Sequence, residues 1–251
     1  MKFLNFRLGA EAAVSALAAP AGDALTTFRT QKRAPKFQFV GINEDGAEFG
    51  KDTLPGQLGR YYIWPSKYSI DTLIGRGMNI FRIPFMIYRL VPNRLNGPID
   101  STYAQGLIDI VNHITSKGAY AVLDPHNFGV VDDRSQLFAD NDKVIFNTNN
   151  EYHDMDNQLV LPLNQAAIDG IRAAGATLQL IFVEGNSWTG AWTWVSTGNG
   201  ATPLNPNDPA APDGSKIIYE MHQYLDTDVS GTSDNCVSST IGEQRLREAT
   251  S

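Results

Sequence analysis

The feature that most constrains the fold is a succession of short, continuously apolar segments, each followed by polar or ionisable residues. They are Phe37–Ile42, Asn79–Pro84, Ala119–Leu123, Val144–Phe146, Leu180–Val183 and Lys216–Tyr219. A strand with one wet face alternates apolar and polar side chains, whereas a strand covered by helices on both faces has no need to. The pattern therefore predicts a parallel sheet wrapped in helices. Between the strands, Leu107, Ile110, Val111 and Ile114 recur at helical spacing over Tyr103–Lys117, with Gly118 as the stop. Ser69 reads as the cap of a helix through Ile70, Leu73 and Ile74 that closes at Gly77. A further helix is expected from Leu163 to Ala174, loop from Asn199 to Gly214, and another helix opening after Ser239.

The placement of polar residues selects the architecture. Asn43, Arg82, His126, Asn150, Glu151, Glu184 and His222 all fall at or just beyond the C-terminal end of an apolar segment. That is the rim on which a (β/α)8 barrel builds its active site. An open doubly wound sheet would gather its site at one crevice, and the glycine-rich phosphate loop that would support one is missing here. Six βα units are visible rather than eight. The expectation is an incomplete TIM barrel without its last two strands. Only residues 127–143 lie between the third and fourth strands. That is enough to cross over, but Leu137–Ala139 leaves room for no more than a stub helix, so the sheet there should be poorly covered.

A formal charge of −7 and a pI near 5.0 offer no attraction for nucleic acid or anionic lipid. No stretch approaches the roughly 20 apolar residues of a membrane span. Residues 1–18 resemble a secretory signal: Lys2 gives a basic start and Ser15–Pro20 a small-residue cleavage site, although Arg7 and Glu11 interrupt the apolar run. Residues 19–33 read as a pro-segment ending at the dibasic Lys32-Arg33, which leaves 34–251 as one barrel domain. Secretion is the expectation. The single cysteine, Cys236, is unusual for a secreted chain.

The chemistry concentrates around Val144–Tyr152, where a strand delivers Asn150-Glu151 into a site. A carboxyl group that protonates a glycosidic oxygen benefits from a neighbouring amide that holds the sugar's 2-hydroxyl. Arg82 stands inside an apolar strand, where a charge needs a partner and can hold a carboxylate ionised. His126 with Asn127, and His222 with Tyr224, offer sugar or carboxylate contacts at strand ends. Trp188, Trp192 and Trp194 crowd one Gly/Thr/Ser loop and could present indole faces to pyranose rings. His113 and His153 receive no role. The four histidines lack zinc-ligand spacing, and Gly185–Thr189 lacks the last glycine of a nucleophile elbow.

Gly46–Gly50, Phe81–Phe85, Ala121–Asn127, Thr148–Tyr152, Phe182–Trp188 and Tyr219–Tyr224 together resemble fungal endoglucanases of glycoside hydrolase family five. The similarity runs from about Phe37 to the end of the chain. It implies a (β/α)8 barrel and retaining hydrolysis of internal β-1,4 bonds in cellulose by a monomer, without cofactor. Mannan or xylan as substrate, and β-glucan binding without cleavage, are the alternatives. On that match Glu151 is the general acid/base, and Arg82, His126, Asn150, His222 and Tyr224 occupy supporting positions. Asn127, Trp188 and Trp192 become substrate contacts. A retaining enzyme also needs a nucleophilic carboxylate about 5–5.5 Å from the acid/base. The resemblance places it after a seventh strand, beyond Ser251, together with the partner of Cys236. Glu243, in a nucleophile-like Ile-Gly-Glu, instead precedes a helical sequence and is set aside.

Overall fold

A computed structural model describes residues 37–92, 97–126, 133–199 and 205–250. Six strands form one sheet in chain order, every neighbouring pair parallel. They are β1 (Gly41–Asn43), β2 (Ile80–Phe85), β3 (Tyr120–Pro125), β4 (Val144–Asn147), β5 (Leu180–Glu184) and β6 (Ile217–Glu220). The helices are α1 (Lys67–Ile74), α2 (Ile87–Leu90), α3 (Ser101–Ser116), α4 (Asn157–Ala173) and α5 (Ile241–Thr250). None of the described helices is long and apolar enough to cross a membrane. Sequential parallel order is the barrel arrangement, and six strands agree with the incomplete barrel expected from the sequence. The signal-like and pro-segment residues lie outside the described residues.

Strand alternation sorts the side chains into two faces. Phe81, Ile83 and Phe85 of β2 point outward and join Leu107, Ile110 and Ile114 of α3 and Ile168 of α4 in the main core. Ile80, Val122, Ile145 and Phe182 point inward and make a smaller apolar layer with Phe39. One alternation step further along, the inward positions are Arg82, Asp124, Asn147, Glu184 and Glu220. Parallel register staggers them around the sheet: Arg82 pairs with Val122 and Asp124 with Pro84, one alternation step apart, Asn147 pairs with Phe182, and Glu184 lies level with Glu220. The interior is thus apolar below and charged above. Gly41 is required where β1 meets β2, since a Cβ there would stand 1.6 Å from the Ile80 carbonyl oxygen.

Helix boundaries differ from the sequence expectation for local reasons. Ser66, not Ser69, caps α1; its side chain accepts the Ser69 N–H. Six residues earlier than expected, α4 starts at Asn157 behind Asp156, whose carboxylate accepts the Gln158 N–H at 2.9 Å, and Pro162 is carried inside the helix. Between β3 and β4 the only described helical turn is a 3-10 turn, Asp133–Phe138. The wholly buried Gln179 closes that turn, its Nε2 donating to the carbonyls of Phe138, Ala139 and Asn141 at 2.8–3.1 Å. A cavity of about 60 Å³ remains beside it, lined by Phe85, Leu123, Phe138, Phe146 and Ile171. The side chains that line it are buried all the same.

Candidate active site

Arg82 is the hub of the upper layer. Its Nη1 lies 2.9 Å from Asp124 Oδ2 and its Nη2 3.5 Å from Glu184 Oε1. Nε is 3.1 Å from Glu220 Oε1, an ion pair out of hydrogen-bond alignment. All four residues are buried. Burial alone would pull the arginine's pKa down, but the three carboxylates outweigh it and push it up, so Arg82 keeps its charge. Asn147 Nδ2 donates to Glu184 Oε1 at 2.9 Å and Glu220 Oε2 at 2.7 Å. Burial, reinforced by the charges of Glu220 and Asp124, raises the pKa of Glu184 against the opposing pull of His222 and Arg82. Asp124 moves the other way, because Arg82 and His126 overcome the penalty of its burial.

Glu151 sits on top of this layer. Its backbone adopts φ 52°, a left-handed conformation unusual for glutamate. Its N–H donates to Glu184 Oε2 at 2.6 Å, which anchors the turn. Its carboxylate Oε1 stands 2.7 Å from His222 Nδ1 and accepts the Tyr224 hydroxyl at 3.3 Å. His222 Nε2 reaches Glu220 Oε1 at 3.3 Å. Burial lowers the His222 pKa, yet the carboxylates of Glu184, Glu151 and Glu220 reverse that and hold it at about 10. Asn150 is fixed by Arg82, whose Nη2 donates to its Oδ1 at 3.0 Å. His126 Nδ1 lies 2.5 Å from Asp124 Oδ2, and this carboxylate raises the ring's pKa despite the opposing effect of burial.

The structure therefore brings Glu151, Asn150, Arg82, His126, His222 and Tyr224 onto one network at the strand ends. Asn127 lies outside the described residues. A cleft of about 620 Å³ opens over Glu151, His222 and Tyr224, with Trp188 and Trp192 in its wall. These two indoles are 50% and 42% exposed, but Trp194 is 8% exposed and packs with Tyr152 and Val160. The expected platform of three tryptophans is thus corrected to two, because the 3-10 turns of the loop rotate Trp194 into the core. Ser187, Trp188 and Thr189 all have positive φ, the turn that swings Trp188 outward. His153, given no role by the sequence, stacks on Trp188 with centroids 5.0 Å apart and planes 7° from parallel.

Sequence reasoning missed Asp124, Asn147 and Glu220 as site constituents. Their signal was parity: each shares the inward face with Arg82. Glu184, Glu220 and His222 have ligand atoms within 4.8 Å of one another, a spacing that fits a cation. Those oxygens already face Arg82 and the Asn147 amide, with His222 beside them. Glu243 lies in the first turn of α5, exposed and 3.6 Å from Arg247.

A glutamate at the end of β4 beside an asparagine, inside a parallel barrel with a tryptophan-walled cleft, defines a barrel glycoside hydrolase. Residues 42–251 match the family described as Cellulase (glycosyl hydrolase family 5). The chain is 52% identical over 266 aligned residues to the probable endo-beta-1,4-glucanase B of Neosartorya fischeri, spanning 100% of this chain and 76% of the relative. It is 55% identical to endo-beta-1,4-glucanase A of Emericella nidulans over 230 residues, covering 85% of this chain and 68% of that one. The solved structure of XacCel5A in complex with cellopentaose superposes with a TM-score of 0.77 at 31% identity, covering 84% of this chain and 73% of that chain. The chain belongs to glycosyl hydrolase family 5, the cellulase family.

Proposed function

We propose that the protein binds a β-1,4-glucan in the tryptophan-walled cleft and acts as an endo-β-1,4-glucanase, with Glu151 as general acid/base. The observation that carries this reading is the Glu151 carboxylate held between His222 and Tyr224 at the cleft floor. The endoglucanase relatives and the cellopentaose-bound structure of XacCel5A support the substrate class. Asn150, fixed by Arg82, is placed beside the acid to meet the sugar's 2-hydroxyl, a contact that strengthens in the transition state. His126 lines the same rim. Trp188 and Trp192 offer stacking faces. The reading includes a monomer acting outside the cell, supported by the signal-like residues 1–18.

A second reading, glucan binding without turnover, draws on a specific observation. A retaining reaction needs a second carboxylate about 5–5.5 Å from the acid. The buried carboxylates nearest Glu151, those of Glu184 and Glu220, are both engaged by Arg82 and Asn147. Reducing-sugar release from carboxymethyl cellulose, measured beside Glu151→Gln and together with retardation in a cellulose-containing gel, separates the two. Release that falls by about 10²-fold or more in Glu151→Gln supports hydrolysis. Retardation without release moves binding to first place. Neither release nor retardation from folded protein would sink both readings.

A further inference from the structure

Backbone conformations that residues with a Cβ rarely adopt gather in two neighbouring turns. Among the described residues, five of the six non-glycine residues with positive φ lie there: Glu151 and Asp154 after β4, and Ser187, Trp188 and Thr189 after β5. Such conformations persist only where surrounding contacts over-determine them, and they cluster at ligand clamps. The backbone of the second turn is held from several sides. Asn186 Oδ1 accepts the Ser187 N–H at 2.8 Å, Thr189 Oγ1 donates to the Glu220 carbonyl at 2.6 Å, and the His222 N–H donates to the Thr189 carbonyl at 3.0 Å.

Trp188 itself meets the first turn. Its backbone N–H donates to the Tyr152 carbonyl at 2.9 Å, and its indole lies 5.0 Å from the His153 imidazole, centroid to centroid, with the planes 7° from parallel. His153 is braced in turn, its Nδ1 2.8 Å from Asp154 Oδ2. Trp188 lines the cleft, whereas His153 is not among the described residues that do. The imidazole therefore backs the indole on the side away from the cleft, and the half-exposed indole keeps its other face for a ligand. Tyr152, between Glu151 and His153, is buried and packs with Val160 and Trp194. Three consecutive residues thus divide the work: Glu151 enters the cleft, Tyr152 anchors the chain and His153 supports the wall.

We propose that His153 is a positioning residue of the cleft: its ring holds the Trp188 indole as a flat stacking face in fixed register with Glu151. The ligand is a β-linked pyranose whose apolar face lies on the indole, and in this the inference rests on the glucan reading above. An indole free to turn about its side-chain torsions loses that freedom when a sugar binds, whereas a stacked indole has lost it beforehand. Removing the imidazole should therefore weaken glucan binding from outside the cleft.

Two measurements on the purified full chain test this, one without glucan and one with it. Acrylamide quenching, with the Trp188 share of the emission taken by difference from Trp188→Phe, reads how open the indole is. That share should become more quenchable in His153→Ala and in His153→Gln, which keeps a polar partner for Asp154 but loses the ring. It should stay at the parent level in His153→Phe, whose ring can stack. Glucan affinity, from retardation in carboxymethyl cellulose gels, should fall about three- to tenfold in the Ala and Gln variants and lie within about twofold of the parent in His153→Phe. Unchanged quenching or affinity in His153→Ala, or rescue by Gln rather than Phe, would overturn the positioning role and leave the glucan reading standing. A parent chain that is not retarded at all would sink the glucan reading and the platform with it, whatever the quenching shows.

Discussion

Arg82 and Arg89 stand seven positions apart, in β2 and in α2, 4% and 1% exposed, and they solve the problem of a buried charge differently. Arg82 faces three carboxylates and two asparagines. Arg89 meets backbone carbonyls instead: Nε donates to Pro55 at 2.9 Å, Nη1 to Ala47 at 2.8 Å, and Nη2 to Gly50 at 3.0 Å and Phe49 at 2.5 Å. Its guanidinium also rests 4.7 Å from the centroid of the Tyr62 ring. Carbonyl dipoles satisfy the guanidinium's donors without adding any anion, so Arg89 simply binds the segment 47–55 to the barrel. Three carboxylates against one arginine leave an excess, and His222 collects it beneath Glu151. A buried arginine read from sequence is thus ambiguous until its partners are known.

The largest expected effect comes from Arg82→Met. It strands three buried carboxylates and should cost about 3–5 kcal/mol in urea unfolding, with glucan binding or hydrolysis lost as Asn150 is released. Adding Glu220→Gln should restore part of that stability, since the two sites are coupled. Arg89→Met should cost less, about 2–3 kcal/mol for charged hydrogen bonds to neutral carbonyls, and leave glucan affinity unchanged. If Arg89→Met impaired affinity as much as Arg82→Met does, the distinction would collapse. A third test is pH dependence. The His222 pKa is raised from about 6.5 in the unfolded chain to about 10. Its contribution is therefore fully present below about pH 6.5 and is lost as pH rises through about 10. Tm measured from pH 6 to 10 should fall in the parent chain, and His222→Gln should flatten that slope.

Much of this was legible in the sequence because burial on both faces leaves a plain mark. Continuous apolar runs gave all six strands and their parallel order, and the polar residues at their ends located the rim. Arg82 stood out because a charge inside such a run is costly. Asp124 and Glu220 did not, since at the end of a run a carboxylate reads as a loop residue. Only the two-residue alternation, carried across strands in register, shows that they share Arg82's face. Exposure was illegible for a different reason: three tryptophans in one loop look alike until the left-handed turn at Ser187–Thr189 and the 3-10 turn after it set Trp188 and Trp192 outward and Trp194 in the core. The first turns of α4 went unread, and the helix carries Pro162 inside them.

The void beside the 3-10 turn between β3 and β4 makes the folded chain occupy more volume than its atoms require. Unfolding eliminates such space, so hydrostatic pressure favours the open chain in proportion to it. Compression should therefore loosen this side of the sheet before the densely hydrogen-bonded side around β5, setting a mechanical weak point in the barrel wall at the crossover that leads into β4 and Glu151.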